Sequence, residues 1–200
     1  MATLTEHKTL LMRANRTLGS ALMELNIVNI QDIEQANEKL LERVAANQLR
    51  ESSMLAILAF DMKVVREEDL LQHVVEADGV GLVDLRDYDV PDESRKNIDM
   101  GACWATWSVP FDKEEEFHFI ATAYYLSPAV RAFWEKQLGT SILWFGTTLE
   151  GIADYLERLQ GERAASLTPF AAVTQAPFGA GAPAPVSNGT PRIFAPVTKP

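Results

Sequence analysis

The chain has 200 residues, with 18 Lys and Arg against 28 Asp and Glu and a net charge of −10. That balance argues against a nucleic-acid backbone as the main partner. The longest unbroken apolar run, Met54 to Phe60, has seven residues, where a membrane-spanning helix needs about twenty.

Glu6, His7, Lys8 and Arg13 interrupt the first apolar positions, so no secretory leader is expected. Cys103 is the single cysteine and can form no internal disulfide. His7, His73 and His118 are too far apart in sequence for a zinc-ligand spacing, so no metal is expected. Together these features suit a reducing cytoplasm.

From Thr5 to Glu76 the chain contains no proline and reads as helical. Leu18, Leu22 and Leu25 are expected on one face of a short helix, where Gly19 allows close packing. Asn29 is placed as an N-cap, with Asp32 at the capping-box position. The helix it starts carries Ile30, Ile33, Leu40, Leu41 and Val44 on its apolar side and is expected to reach about Leu49. Ser52 or Ser53 caps a short buried helix over Met54 to Phe60. A further helix over Glu67 to Glu76 opens with Glu67, Glu68 and Asp69, which suit the helix dipole.

Two stretches repeat weakly at an offset of 37 residues. Leu18, Leu25, Ile27, Val28 and Ile33 match Leu55, Met62, Val64, Val65 and Leu70. Each unit reads as a short helix, an apolar dipeptide and a capped helix, and stacking the two buries both inner faces.

After Gly79 the pattern changes to short strands between helices. Strands are expected over Val80 to Leu85, Ala102 to Val109, Phe117 to Ala123 and Ile142 to Phe145, the last of them buried. Asp112 to Glu116 is read as a hairpin loop. A short helix is expected over Pro91 to Ile98. Ser127-Pro128 opens another at the N-cap and N1 positions, ended by Gly139, and Thr148 caps a last one to about Gln160. Seven of the ten prolines then fall between Pro169 and Pro200, in a segment without a single acid. Such a stretch cannot bury enough surface to offset its chain entropy.

The expected fold is therefore α+β. A bundle of short helices built from two similar units covers 1–78, a small α/β sandwich covers 79–165, and a disordered Pro/Ala-rich tail covers 166–200.

The line Leu18-Gly19-Ser-Ala-Leu22-Met-Glu-Leu-Asn-Ile27-Val28-Asn-Ile-Gln-Asp-Ile33-Glu-Gln-Ala36 resembles the recurring pattern of the N-terminal domain of the type II secretion and type IV pilus assembly ATPases, the GspE-like family. Gly81 to Leu85 and Asp89 to Ile98 are similar to the strand and helix that follow it there. The phosphate-binding loop of the ATPase module, Gly, four residues, Gly-Lys-Ser/Thr, does not occur in the chain. The resemblance thus implies a non-catalytic docking module without catalytic residues, metal or cofactor. Its implied partner is the cytoplasmic domain of an inner-membrane platform protein (GspL-like), alongside a separate secretion ATPase. The implied location is cytoplasmic and peripheral to the inner membrane through that partner, with no insertion of its own.

One branch of that family resembles a cyclic di-GMP receptor, with an arginine before Leu-Gly and a later glycine in each unit. Here Thr17 and Met54 stand at the arginine positions and Asn26 and Lys63 at those of the later glycines. A small-ligand sensor is the alternative reading, and its binding residues would be Arg13, Arg16, Leu18 and Gly19.

The remaining chemistry-bearing side chains are read as structural. Trp104, Trp107, Trp134 and Trp144 are expected in packing, Cys103 as a buried thiol, and His118 on a solvent face. Asp84 with Asp87 is a carboxylate pair that nothing in the sequence singles out for hydrolysis.

Overall fold

The computed structural model describes residues 3–89 and 98–167. Residues 91–97 of the helix expected over Pro91 to Ile98, and residues 168–200 of the tail expected over 166–200, lie outside that set, while residues 166 and 167 close the last helix.

The first helix is longer than its pattern suggested. α1 runs Leu4–Glu24, opened by a capping box in which Thr3 and Glu6 exchange side-chain and backbone hydrogen bonds. Its core face is Leu11, Ala14, Asn15, Leu18, Gly19 and Leu22, whereas Leu25 falls outside the helix and is exposed. Asn29 and Asp32 form the expected capping box of α2, Ile30–Ala45. α2 stops at Ala45, short of Leu49, and only Ala36 and Leu40 are fully buried on it. Ile30 and Leu41, expected on its inner side, face outward.

Ser53 caps the next turn, α3 (Met54–Ala56), which widens into a π-turn over Ile57–Asp61. The 37-residue offset reappears in the backbone, because Asn26 (φ 56°) and Lys63 (φ 57°) both turn left-handed at the end of their units. Val28 and Val65, two residues on, are both buried. α4 follows over Glu67–Asp78 and ends on Gly79 at φ 67°.

The later half forms a four-stranded sheet of order β1-β4-β3-β2. Its strands are β1 (Gly81–Leu82), β2 (Ser108–Glu114), β3 (Phe117–Thr122) and β4 (Ser141–Gly146). β2 and β3 are an antiparallel hairpin, while β4 runs parallel to both β3 and β1. Pro110 is tolerated because β2 is an edge strand with a register shift between Pro110 and Asp112. β1 is only two residues long where a strand over Val80 to Leu85 was expected, and Leu85 opens a 3₁₀ turn, Leu85–Asp87.

A second correction concerns Ala102 to Val109, read as one strand. Met100–Thr106 is a helix, α5, capped by Asp99, whose carboxylate accepts from the Gly101 and Ala102 amides. Residues Ala102 to Thr106 are all buried, so the helix shows no polar side to betray its period. The chain turns from α5 into β2 at Trp107, a left-handed residue at φ 46°.

α6 (Pro128–Leu138) begins and ends at the expected Ser127-Pro128 and Gly139. β4 is less buried than expected, with Leu143 43% exposed. α7, Leu149–Leu167, passes the expected Gln160.

α4 lies over one sheet face, where a Cβ at Gly146 would touch Leu71 and Val74. The other face carries Phe119 stacked on Phe145, with Phe111 edge-on to both. One cluster of buried side chains joins Leu11, Leu18 and Leu22 of α1 to Trp104, Ile120, Trp134 and Ile152. Trp104, Trp107 and Trp134 and Cys103 are buried, as packing roles require.

A buried polar node sits inside that core. Asn15 Oδ1 accepts from the Met54 amide (2.7 Å) and from the Tyr124 hydroxyl (2.7 Å). Tyr124 also shares a hydrogen bond with Ser53 Oγ (2.9 Å) and accepts a longer one from the Leu55 amide (3.4 Å). Asn15 Nδ2 donates to the carbonyls of Leu11 and Ser52. Every strong group of the node is thus satisfied, as burial demands, and burial keeps the Tyr124 phenol far above its usual pKa.

Candidate functional site

The side of α1 opposite Leu18 forms one wall of an open groove of about 570 Å³, and α2 forms the other. Helical spacing places Met12, Arg13, Arg16, Ser20 and Met23 on that wall. Ile33, Glu34, Asn37 and Leu40 line the α2 side, and Met54 reaches in from α3. Gly19 lies at the base, where a Cβ would come 2.9 Å from Met54 Sδ and 3.4 Å from Ile33 Cδ1.

Of the four residues nominated from sequence, Arg13, Arg16 and Gly19 meet in this groove. Leu18 is fully buried and turned toward the core. Arg13 and Arg16 are exposed, and among the described residues neither guanidinium has an ion pair. Sequence reasoning missed the opposite wall, Glu34 and Asn37, and the Met54 floor. The i, i+3 spacing of Glu34 and Asn37 was the available signal, but pairing α2 with α1 needed the fold.

The positions where the resemblance calls for arginine do not supply cations. The Thr17 hydroxyl is bonded to Ser127 Oγ (2.6 Å) and to α1 carbonyls, and Met54 is buried. Asn26 and Lys63, in the glycine positions, do keep the left-handed backbone that glycine would provide.

A second cleft of about 350 Å³ lies beside the ends of β1 and β4 and the start of α7. Asp84 in its wall is forked by Arg86 (2.6 and 2.9 Å), which lowers its pKa to about 2. It is therefore an ion-paired 3₁₀ cap and is already committed to Arg86. At the same corner the Leu149 amide of α7 donates to Glu67 Oε1 (2.8 Å), so α4 caps α7 across the fold. Burial raises the Glu67 pKa despite that bond, with Glu68 and Glu150 adding to the effect. Thr148 Oγ1 accepts from the Gly151 amide, completing the cap expected there.

Among the described residues no group of three His, Cys, Asp or Glu is placed to hold a metal ion, and no helix is long and apolar enough to cross a membrane. The groove combines an apolar floor, two guanidinia on one wall that have no ion pair among the described residues, and a carboxylate and an amide on the other.

No family model and no curated protein matches the chain. Among solved structures it is similar to the N-terminal domain of XpsE, at 19% identity over 70% of this chain and 91% of that one, with a TM-score of 0.47. It is also similar to a structure of MshE with cdg, at 16% identity over 71% of this chain and 97% of that one, with a TM-score of 0.45.

Proposed function

We propose that the chain is a non-catalytic docking module of a type II secretion or type IV pilus system. In this reading it binds the cytoplasmic domain of an inner-membrane platform protein and works beside a separate ATPase. The observation that carries the reading is the α1/α2 groove, with its apolar floor and two guanidinia that have no ion pair among the described residues, on a chain of net charge −10. The resemblance of Leu18 to Ala36 supplies the identity of the system. Mixing the purified chain with the cytoplasmic domain of a platform protein and measuring association by light scattering tests it. A stoichiometric complex is expected; two species that elute apart at concentrations of about 10 μM, weaker than a working docking contact, would refute it.

A second reading, a sensor for an anionic cyclic dinucleotide, is favoured by the convergence of Arg13, Arg16 and Gly19. It predicts a calorimetric titration with cyclic di-GMP that Arg16→Ala abolishes, whereas the docking reading predicts no heat.

A further inference from the structure

The groove is a lane between two helices. On α1 its lining runs from Met12 to Met23, about 16 Å at the helical rise, and on α2 from Ile33 to Leu40, about 10 Å. Three of its apolar positions, Met12, Met23 and Met54, are methionines, whose unbranched thioethers conform to different side chains. Ile30 and Leu41 are 51% and 48% exposed. They stand four residues before Glu34 and four after Asn37, so they continue the α2 wall beyond both ends of the groove.

The two walls differ in charge. Arg13 and Arg16 are three residues apart, neighbours on one helical face, and between Lys8 and Glu24 α1 contains no acid. Glu34 and Asn37 repeat the same spacing on α2. A ligand lying lengthwise therefore meets cations along one edge and a carboxylate and an amide along the other.

We propose that this groove receives an amphipathic helix of a partner protein, its apolar stripe on the methionines and its acidic edge against Arg13 and Arg16. The assignment rests on the docking reading above and names the chemistry of what docks. Leucine-like side chains at i, i+3 or i+4 and i+7 fill the floor, and glutamates one turn apart reach the two guanidinia. The opposite edge of the incoming helix carries Lys, Arg or Gln to meet Glu34 and Asn37. Because the two edges differ in sign, the charges set which way the helix is rolled in the groove.

The test uses a phage-displayed library of helices about 18 residues long, five turns. Its apolar stripe is fixed, and Glu, Gln or Lys is free at the flanking positions. It is panned on the full chain and on the Arg13→Glu/Arg16→Glu variant, whose exposed substitutions leave the fold intact by circular dichroism. On the parent chain the recovered helices are expected to carry Glu on one edge. The best of them, as a synthetic peptide, is expected to lose at least about tenfold in affinity on the variant. In methyl NMR the same peptide should shift Met12, Met23 and Met54 while leaving Met62 and Met100 in place. Recovery of no helices or of Lys-edged helices, equal binding to both proteins, or shifts at Met62 or Met100 alone would overturn the proposal. Platform-domain binding measured on the same variant separates the two claims: retained binding together with any of those results removes the groove and leaves the docking reading standing.

Discussion

Tyr124→Phe removes one oxygen from the centre of the core and almost no volume, so its cost reads the polar node directly. Without the phenol oxygen the Ser53 hydroxyl and the Leu55 amide lose a buried partner, while Asn15 Oδ1 keeps the Met54 amide. A stranded buried donor costs about 1–3 kcal/mol. The Leu55 contact is long and the serine hydroxyl can rotate, so a loss of about 2 kcal/mol is expected. Asn15→Ala takes the acceptor from both Met54 and Tyr124 and opens a small void. It should cost about 3–4 kcal/mol, counting the unpaired amide and the lost contacts. Because both substitutions cut the same Tyr124–Asn15 bond, the double variant should fall short of additivity by about 1 kcal/mol. Urea unfolding followed by tryptophan fluorescence and by circular dichroism measures all three. The four tryptophans lie after residue 100, whereas α1, α2 and α4 supply much of the helix signal. Coincident transitions are expected from a node joining α1, α3 and the loop after β3. A Tyr124→Phe cost below about 0.5 kcal/mol, within the range of a neutral surface change, or additive single effects would refute the reasoning.

Glu67→Gln keeps an oxygen for the Leu149 amide and removes the buried charge. The folded-state pKa of Glu67 lies above its ordinary value of 4.5, so the folded chain holds this proton more tightly than the unfolded chain. Its contribution to stability is then full below pH 4.5 and is lost as pH rises through the folded pKa. The Gln variant should accordingly gain on the parent in thermal midpoint between pH 4.5 and 7, and a constant difference across that window would contradict the assignment. Gly101→Ala places a methyl group in the His7 ring, which packs on Gly101 while bonded to Asp99. The ring must leave, breaking the tie between α1 and the α5 cap. A loss of about 1–2 kcal/mol is expected by urea unfolding, with a His7→Ala/Gly101→Ala double variant little worse than His7→Ala alone.

What the sequence made legible was chemistry that acts over three or four residues. Asn29 with Asp32, Ser53, Ser127-Pro128, Gly139 and Thr148 all mark helix ends where expected, because a cap is a contract between near neighbours. The run from Ala102 to Trp107 misled for the opposite reason. A helix buried on every side has no polar face, so its period is invisible, and the useful sign was Asp99 in front of it. Leu41 and Ile30 looked internal on α2 by spacing alone, yet the partner surface is too narrow to cover them. The site divided in the same way. Arg13, Arg16 and Gly19 belong to one helix and could be nominated together, while Glu34, Asn37 and Met54 come from two other elements and required the tertiary contact.

The groove and the polar node are two faces of the same helix. Asn15, Leu18 and Leu22 fasten α1 into the core, and on the opposite side of the axis Arg13, Arg16, Ser20 and Met23 look outward. Met54 belongs to both, since its amide is held by Asn15 while its sulfur lies at the groove base against Gly19. The node therefore fixes the position of the groove floor, and the cation wall is held at a set distance from α2 before anything binds. A helix entering such a preformed lane orders only its own backbone and a few methionine rotamers, which lowers the entropy cost of docking. It follows that Asn15→Ala, which takes the acceptor from the Met54 amide, should weaken any ligand of the groove measured by calorimetry and leave a ligand of any other surface unchanged; equal weakening of both would refute the link.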